Sequence, residues 1–121
     1  QKVANIASDI PPTWLEGDED GDLLIVGWGS TWGAITSAVK QAREEGYKVA
    51  HAHLIHINPF PEDLGSVLSR FKTVICPEMN MGQLSRLLRA EFLVDVESVN
   101  KVEGQPFMTG ELYDKILEIL K

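Results

Sequence analysis

The stretch Asp22 to Gly46, DLLIVGWGSTWGAITSAVKQAREEG, constrains the fold more than any other part of the chain. Leu23 to Trp28 is a short apolar run bounded by turn residues, the pattern of a strand buried on both faces of a parallel sheet. Ile35, Ala38, Val39 and Ala42 then recur at i, i+3, i+4 and i+7, the stripe of a helix with one buried face. Ser30 or Thr31 is placed to cap its start, and Gly46 to end it in a left-handed conformation. Strand, glycine-rich turn and helix together make one β–α unit, and the rest of the chain repeats that grammar.

Tyr47 to Ile57 reads as a second strand, stopped by Asn58-Pro59-Phe60-Pro61 because proline cannot donate to a ladder. Pro61 suits the first turn of a helix running to about Phe71, with Leu64, Val67, Leu68 and Phe71 as its apolar stripe. Thr73 to Pro77 is a third strand. Asn80 with Gln83 three residues on forms a capping-box variant before a helix expected to bury Leu84, Leu87 and Leu88. A fourth strand covers about Leu93 to Val99, and Thr109 caps a last helix carrying Leu112, Ile116, Ile119 and Leu120. Thr13 to Glu16 can add a short antiparallel edge strand. Four β–α units with short connections imply a parallel sheet covered by helices through right-handed crossovers. Loops 27–33, 58–61, 78–83 and 100–108 should then share the carboxyl rim, where such sheets receive ligands.

Composition narrows the partners. The 121 residues suffice for one core, and 44% hydrophobic with 24% charged content is that of a globular protein. A formal charge of −7 argues against nucleic acid or an anionic membrane, both of which need a basic footprint. The single cysteine, Cys76, has no internal disulfide partner, which favours a reducing, cytoplasmic setting. No apolar run approaches the roughly 20 residues that span a bilayer, and no signal peptide is visible. The chain begins at Gln1 rather than Met, as a piece of a longer protein would.

Each chemical motif has a plainer counterpart. Gly27-x-Gly29-x-x-x-Gly33 falls where a dinucleotide fingerprint would, but its third glycine is one position late and no acid closes the second strand. A tight turn with close helix–sheet approach accounts for the glycines better. His51 and His53 share a strand face and His56 takes the other. An H-x-H pair can ligate zinc but needs a third ligand, so histidines with satisfied hydrogen bonds in a core or interface are the better reading. Five acids between Glu16 and Asp22 lack the spacing of a calcium loop and read as a solvated turn.

Four loop sequences, taken in order, carry a family resemblance: Val26-Gly27-Trp28-Gly29-Ser30-Thr31; Ile57-Asn58-Pro59-Phe60-Pro61; Pro77 through Glu78, Asn80 and Gly82 to Gln83-Leu84; and Val99-Asn100-Lys101-Val102-Glu103-Gly104-Gln105-Pro106-Phe107. Over residues 22 to 121 the chain resembles the C-terminal domain of the alpha subunit of 2-oxoacid:ferredoxin oxidoreductases, 2-oxoglutarate type. The resemblance implies a transketolase C-terminal-like domain. Its fold is a three-layer α/β/α sandwich on a mostly parallel sheet of about five strands, with one antiparallel edge strand. Residues 1–21 would form the junction to a preceding domain.

The resemblance also implies an enzyme that decarboxylates a 2-oxoacid to its acyl-CoA and passes electrons to ferredoxin. Such an enzyme uses thiamine diphosphate, magnesium, an iron–sulfur cluster and coenzyme A, all held outside this domain. One cysteine cannot hold a cluster that needs four thiolates. The domain would serve assembly, without turnover of its own. It would contact the upstream domain of its subunit and the beta subunit, and meet ferredoxin through the whole complex. Gly29, Ser30, Asn58, Glu78, Asn80, Gln83 and Lys101 are the expected interface or substrate-entrance residues. The competing reading is a free-standing regulatory or small-anion-binding α/β domain using the same rim.

Overall fold

A computed structural model of the protein describes residues 13–54, 61–78, 83–92, 94–100 and 108–120. Strand β1 (Trp14–Glu16) leads into β2 (Gly21–Trp28), a single 3-10 turn (Gly29–Thr31) and helix α1 (Trp32–Glu44). Then follow β3 (Val49–Leu54), α2 (Leu64–Ser69), β4 (Phe71–Glu78), α3 (Gln83–Phe92), β5 (Val96–Asn100) and α4 (Thr109–Leu120). The sheet order is β1-β3-β2-β4-β5. β3, β2, β4 and β5 run parallel, and β1 pairs antiparallel with β3 at the edge. The expected three-layer sandwich with its antiparallel edge strand is the observed fold.

The strand period of two divides the core into two layers. Leu24 and Val26 of β2, with Ala50, Ala52 and Leu54 of β3, pack under Leu64, Val67 and Leu68 of α2 and Leu84 and Leu88 of α3. Leu23 and Ile25, with Val49 and Ile75, pack under Ile35, Ala38, Val39 and Ala42 of α1 and Leu112 and Ile116 of α4. Cys76 is a buried member of the first layer. Each fully buried Leu or Ile contributes roughly 1.5–3 kcal/mol through removal of apolar surface from water.

The helix ends differ in how far sequence anticipates them. Gly46 closes α1 at φ +95° as expected. Its N–H donates to the Arg43 carbonyl at 3.0 Å and that of Tyr47 to the Ala42 carbonyl at 3.1 Å, the paired bonds of a Schellman cap. At the other end neither Ser30 nor Thr31 caps in the expected way, because a 3-10 turn precedes the helix and no side-chain cap bond forms. The Thr31 hydroxyl reaches back instead, donating to the Trp28 carbonyl at 3.1 Å and accepting from the Trp28 N–H at 3.3 Å.

Helix α2 is shorter than its apolar spacing suggests. Pro61 to Asp63 form a turn whose Pro61 carbonyl accepts from Leu64 N–H at 3.2 Å, and Phe71 opens β4. Leu87 is also misassigned by periodicity, being 51% exposed while Leu84 and Leu88 are buried. The last helix begins with Thr109 inside it, and the Glu111 carboxylate accepts from Met108 N–H at 2.9 Å. The expected Asn80 cap lies outside the described residues.

Two contacts pin the chain's leading segment. Thr13 donates from both its N–H and its hydroxyl to Oδ1 of Asp63, each at 2.8 Å. The acidic turn that follows is tied to the body by Asp18–Arg43, Glu19–Arg70 and Asp22–Lys72 ion pairs at 3.8, 3.5 and 3.4 Å. All three are solvent-accessible, so they orient the turn more than they stabilise the fold.

Candidate interface at the carboxyl rim

The parallel register brings strand ends together. Trp28 pairs with Leu54, and Glu78 pairs with Asn100. Ile25 opposite Ile75 carries β2 and β4 to the same edge. The carboxyl ends of all four parallel strands therefore form one rim, with the 3-10 turn mounted on it. Of the expected contact residues, Gly29 and Ser30 lie in that turn, Glu78 ends β4 and Gln83 opens α3. Asn58, Asn80 and Lys101 lie outside the described residues, as do loops 58–60 and 101–107.

The glycines of the turn have separate reasons. A Cβ on Gly27 would stand 2.5 Å from Cδ1 of Ile35, 2.8 Å from Nδ1 of His53 and 3.1 Å from the Thr31 hydroxyl. Gly27 is thus required by helix–sheet approach, and its space is filled by this chain's own side chains. Gly29 has φ +68°, a conformation that favours glycine. A Cβ on Gly33 would meet no other part of the described residues within 4 Å. The spacing that resembles a nucleotide fingerprint arises from two unrelated needs and one unconstrained position.

Behind this turn stands a histidine pair. His51 and His53 share the β3 face toward α1, as strand alternation predicts, and are 0% and 8% exposed. Nε2 of His53 lies 3.1 Å from the Gly29 carbonyl oxygen, and its Nδ1 lies 3.1 Å from Nε2 of His51. A carbonyl only accepts, so His53 is protonated on Nε2 and its Nδ1 accepts from His51 Nε2–H. His51 Nδ1 is then an acceptor, buried and with no hydrogen-bond partner among the described residues. Burial, reinforced by the neighbouring His53 charge, lowers the His51 pKa to about 3. Burial also lowers that of His53, against the Gly29 bond that raises it. Both rings are neutral at physiological pH.

Sequence reading placed the two histidines together but missed the indoles around them. The antiparallel register sets Trp14 opposite His53, and α1 starts with Trp32 above the same face. The Trp14 and Trp32 ring centroids are 4.5 Å apart. His51 lies 5.2 Å from Trp14 and 5.3 Å from Trp32, and His53 lies 5.0 Å from Trp32. Trp14 is 36% and Trp32 42% exposed, although both are large apolar groups. Paired, half-exposed indoles of this kind are what interface centres are built from. Among the described residues no group of three or more His, Cys, Asp or Glu side chains is arranged to hold a metal ion. No described helix is long and apolar enough to cross a membrane.

Comparison with known proteins bears on the family and the fold. Residues 21–112 match the family model of the pyruvate:ferredoxin oxidoreductase core domain II. The chain is 53% identical over 101 residues to the 2-oxoglutarate oxidoreductase subunit KorA of Mycobacterium tuberculosis, covering 81% of this chain and 16% of that protein. It is 36% identical over 110 residues to subunit alpha of 2-oxoacid:ferredoxin oxidoreductase 1 of Aeropyrum pernix, covering 87% of this chain and 17% of that one. Among solved structures, the 2-oxoglutarate:ferredoxin oxidoreductase of Magnetococcus marinus superposes with a TM-score of 0.91 at 28% identity, over 98% of this chain and 21% of that one. A split-gene transketolase shares the fold, with a TM-score of 0.66 at 16% identity over 92% of this chain and 42% of that one. The chain thus spans about a sixth of the length of these curated relatives.

Proposed function

The chain belongs to the pyruvate:ferredoxin oxidoreductase core domain II family, and from that premise we propose that it is the assembly domain of a 2-oxoglutarate:ferredoxin oxidoreductase alpha subunit. The observation that carries this reading is the 53% identity, sustained over 101 residues, to a 2-oxoglutarate oxidoreductase subunit. The half-exposed Trp14–Trp32 pair beside the rim supports an assembly role in particular.

In this reading the complete enzyme decarboxylates 2-oxoglutarate to its acyl-CoA and passes electrons to ferredoxin. Thiamine diphosphate with magnesium, the iron–sulfur cluster and coenzyme A are held by other domains or subunits. The residues present here do not fit the cluster: Cys76 is the single cysteine and is fully buried in β4. The rim residues Gly29, Ser30, Asn58, Glu78, Asn80, Gln83 and Lys101 contact the upstream domain or the beta subunit, or border the substrate entrance. Residues 22–121 form the domain and residues 1–21 its junction, with Trp14–Glu16 already woven into the sheet as β1. A cytoplasmic location belongs to the proposal, since a lone buried thiol suits a reducing compartment.

The test is co-purification. The full-length subunit containing this chain, expressed with the thiamine-binding beta subunit, is expected to elute with it as one complex. Separate elution of two well-folded subunits would overturn the assignment.

A further inference from the structure

The assembly reading leaves the chemistry of the partner surface open, and three observations beside β1 narrow it. Trp14 and Trp32 present half-exposed indole rings 4.5 Å apart by centroid. Glu16 stands two residues from Trp14 on the same strand face, opposite His51 in the register. It is exposed, with no ion pair among the described residues, whereas Asp18, Glu19 and Asp22 of the adjoining turn are already paired. Beneath the indoles lie the buried, neutral rings of His51 and His53, which put no positive charge behind them.

We propose that Trp14, Trp32 and Glu16 form a receptor for a single arginine side chain presented by the protein surface against which this domain packs. The inference rests on the assembly reading above and names the partner chemistry of that face. Indole faces attract cations, and a planar guanidinium stacks on them as well as donating hydrogen bonds. Glu16, two residues along on the same strand face, supplies the opposite charge. The formal charge of −7 favours approach of a basic surface. The histidine pair beneath is neutral and does not repel the cation. A lysine offers a compact, strongly hydrated ammonium without the stacking plane.

The test uses the whole 121-residue chain, 15N-labelled, with the three indole N–H signals assigned by Trp14→Phe, Trp28→Phe and Trp32→Phe variants. Their dispersion also confirms that each variant is folded. Nα-acetyl-arginine amide is titrated in, with the citrulline and lysine amides as neutral and ammonium counterparts. The Trp14 and Trp32 signals are expected to shift saturably with the arginine probe, with Trp28 unmoved. Citrulline and lysine should act at least several-fold more weakly, and Glu16→Gln should weaken the arginine response about two- to fivefold. No shift, or an equal response to citrulline, overturns the cation reading, and an equal response to lysine overturns the choice of arginine. Because the readout needs no partner subunit, loss of probe binding with intact co-purification defeats this inference alone. Probe binding without co-purification defeats the assembly reading alone.

Discussion

His53 and Gly29 are joined across the rim, with the imidazole Nε2 3.1 Å from the Gly29 carbonyl oxygen. That one contact dictates where the protons of two rings reside. It holds His53 as the Nε2–H tautomer, and through the 3.1 Å contact with His53 Nδ1 it holds His51 the same way. Long-range 1H–15N spectra at neutral pH should therefore show both histidines protonated on Nε2 alone. An Nδ1–H signal from either ring would contradict the assignment, and with it the orphaned acceptor on His51.

The turn glycines should respond unequally to the same substitution. Gly27→Ala drives a methyl to 2.5 Å from Ile35 Cδ1 and 2.8 Å from His53 Nδ1, and should destabilise the fold by about 1–3 kcal/mol. Gly33→Ala, in the first turn of α1 with no other part of the described residues within 4 Å of the added methyl, should be neutral or stabilising by up to about 1 kcal/mol. Chemical denaturation of the two variants measures the difference. Equal effects would mean that the turn is not built as described.

Acid should act through the histidine pair. The folded pKa of His51 is about 3 against 6.5 for a free ring, so the unfolded chain binds its proton first as pH falls. The neutral pair therefore contributes its full stability above pH 6.5 and loses it progressively toward pH 3. Between pH 7.5 and pH 5 the His51 contribution alone amounts to about 2 kcal/mol. His53 adds in the same direction. Denaturation midpoints at the two pH values should differ clearly less in His51→Phe than in the parent protein. An unchanged difference would place the acid sensitivity elsewhere.

Adjacent leucines on α3 should part company. Leu88 is 0% exposed and packs in the first core layer, so Leu88→Ala should cost about 2–5 kcal/mol. Leu87 is 51% exposed, and Leu87→Ser should stay within about 0.5 kcal/mol in the isolated chain. Thermal unfolding of both variants checks the contrast.

Much of this arrangement is legible in the sequence because it follows local rules. The alternation of apolar runs and helical stripes yields the four parallel strands and their helices, and Gly46 marks its Schellman cap directly. His51 and His53 fall on one face through strand period alone. What local rules cannot reach is contact between distant segments. The Trp14–Trp32 pair depends on β1 docking in register on β3, 35 or more positions downstream. Leu87 obeys the helical stripe but is 51% exposed. Phe71 fits the stripe of α2 equally well, yet the sheet claims it as the first residue of β4. Thr31 looks like a cap, but its hydroxyl bridges the Trp28 backbone to steady the turn. The glycine-rich turn is read for the right property, backbone permissiveness, while the identity of the atoms that crowd Gly27 requires the fold.

The central claim is that this domain assembles an oxidoreductase without catalysing on its own. The most direct measurement is ferredoxin reduction supplied with 2-oxoglutarate, coenzyme A, thiamine diphosphate and magnesium. It is run once on the 121-residue chain and once on the full-length subunit bound to its beta subunit. The account predicts no reduction in the first assay and 2-oxoglutarate-dependent reduction in the second. Turnover by the chain alone, or none by the intact complex, would contradict it.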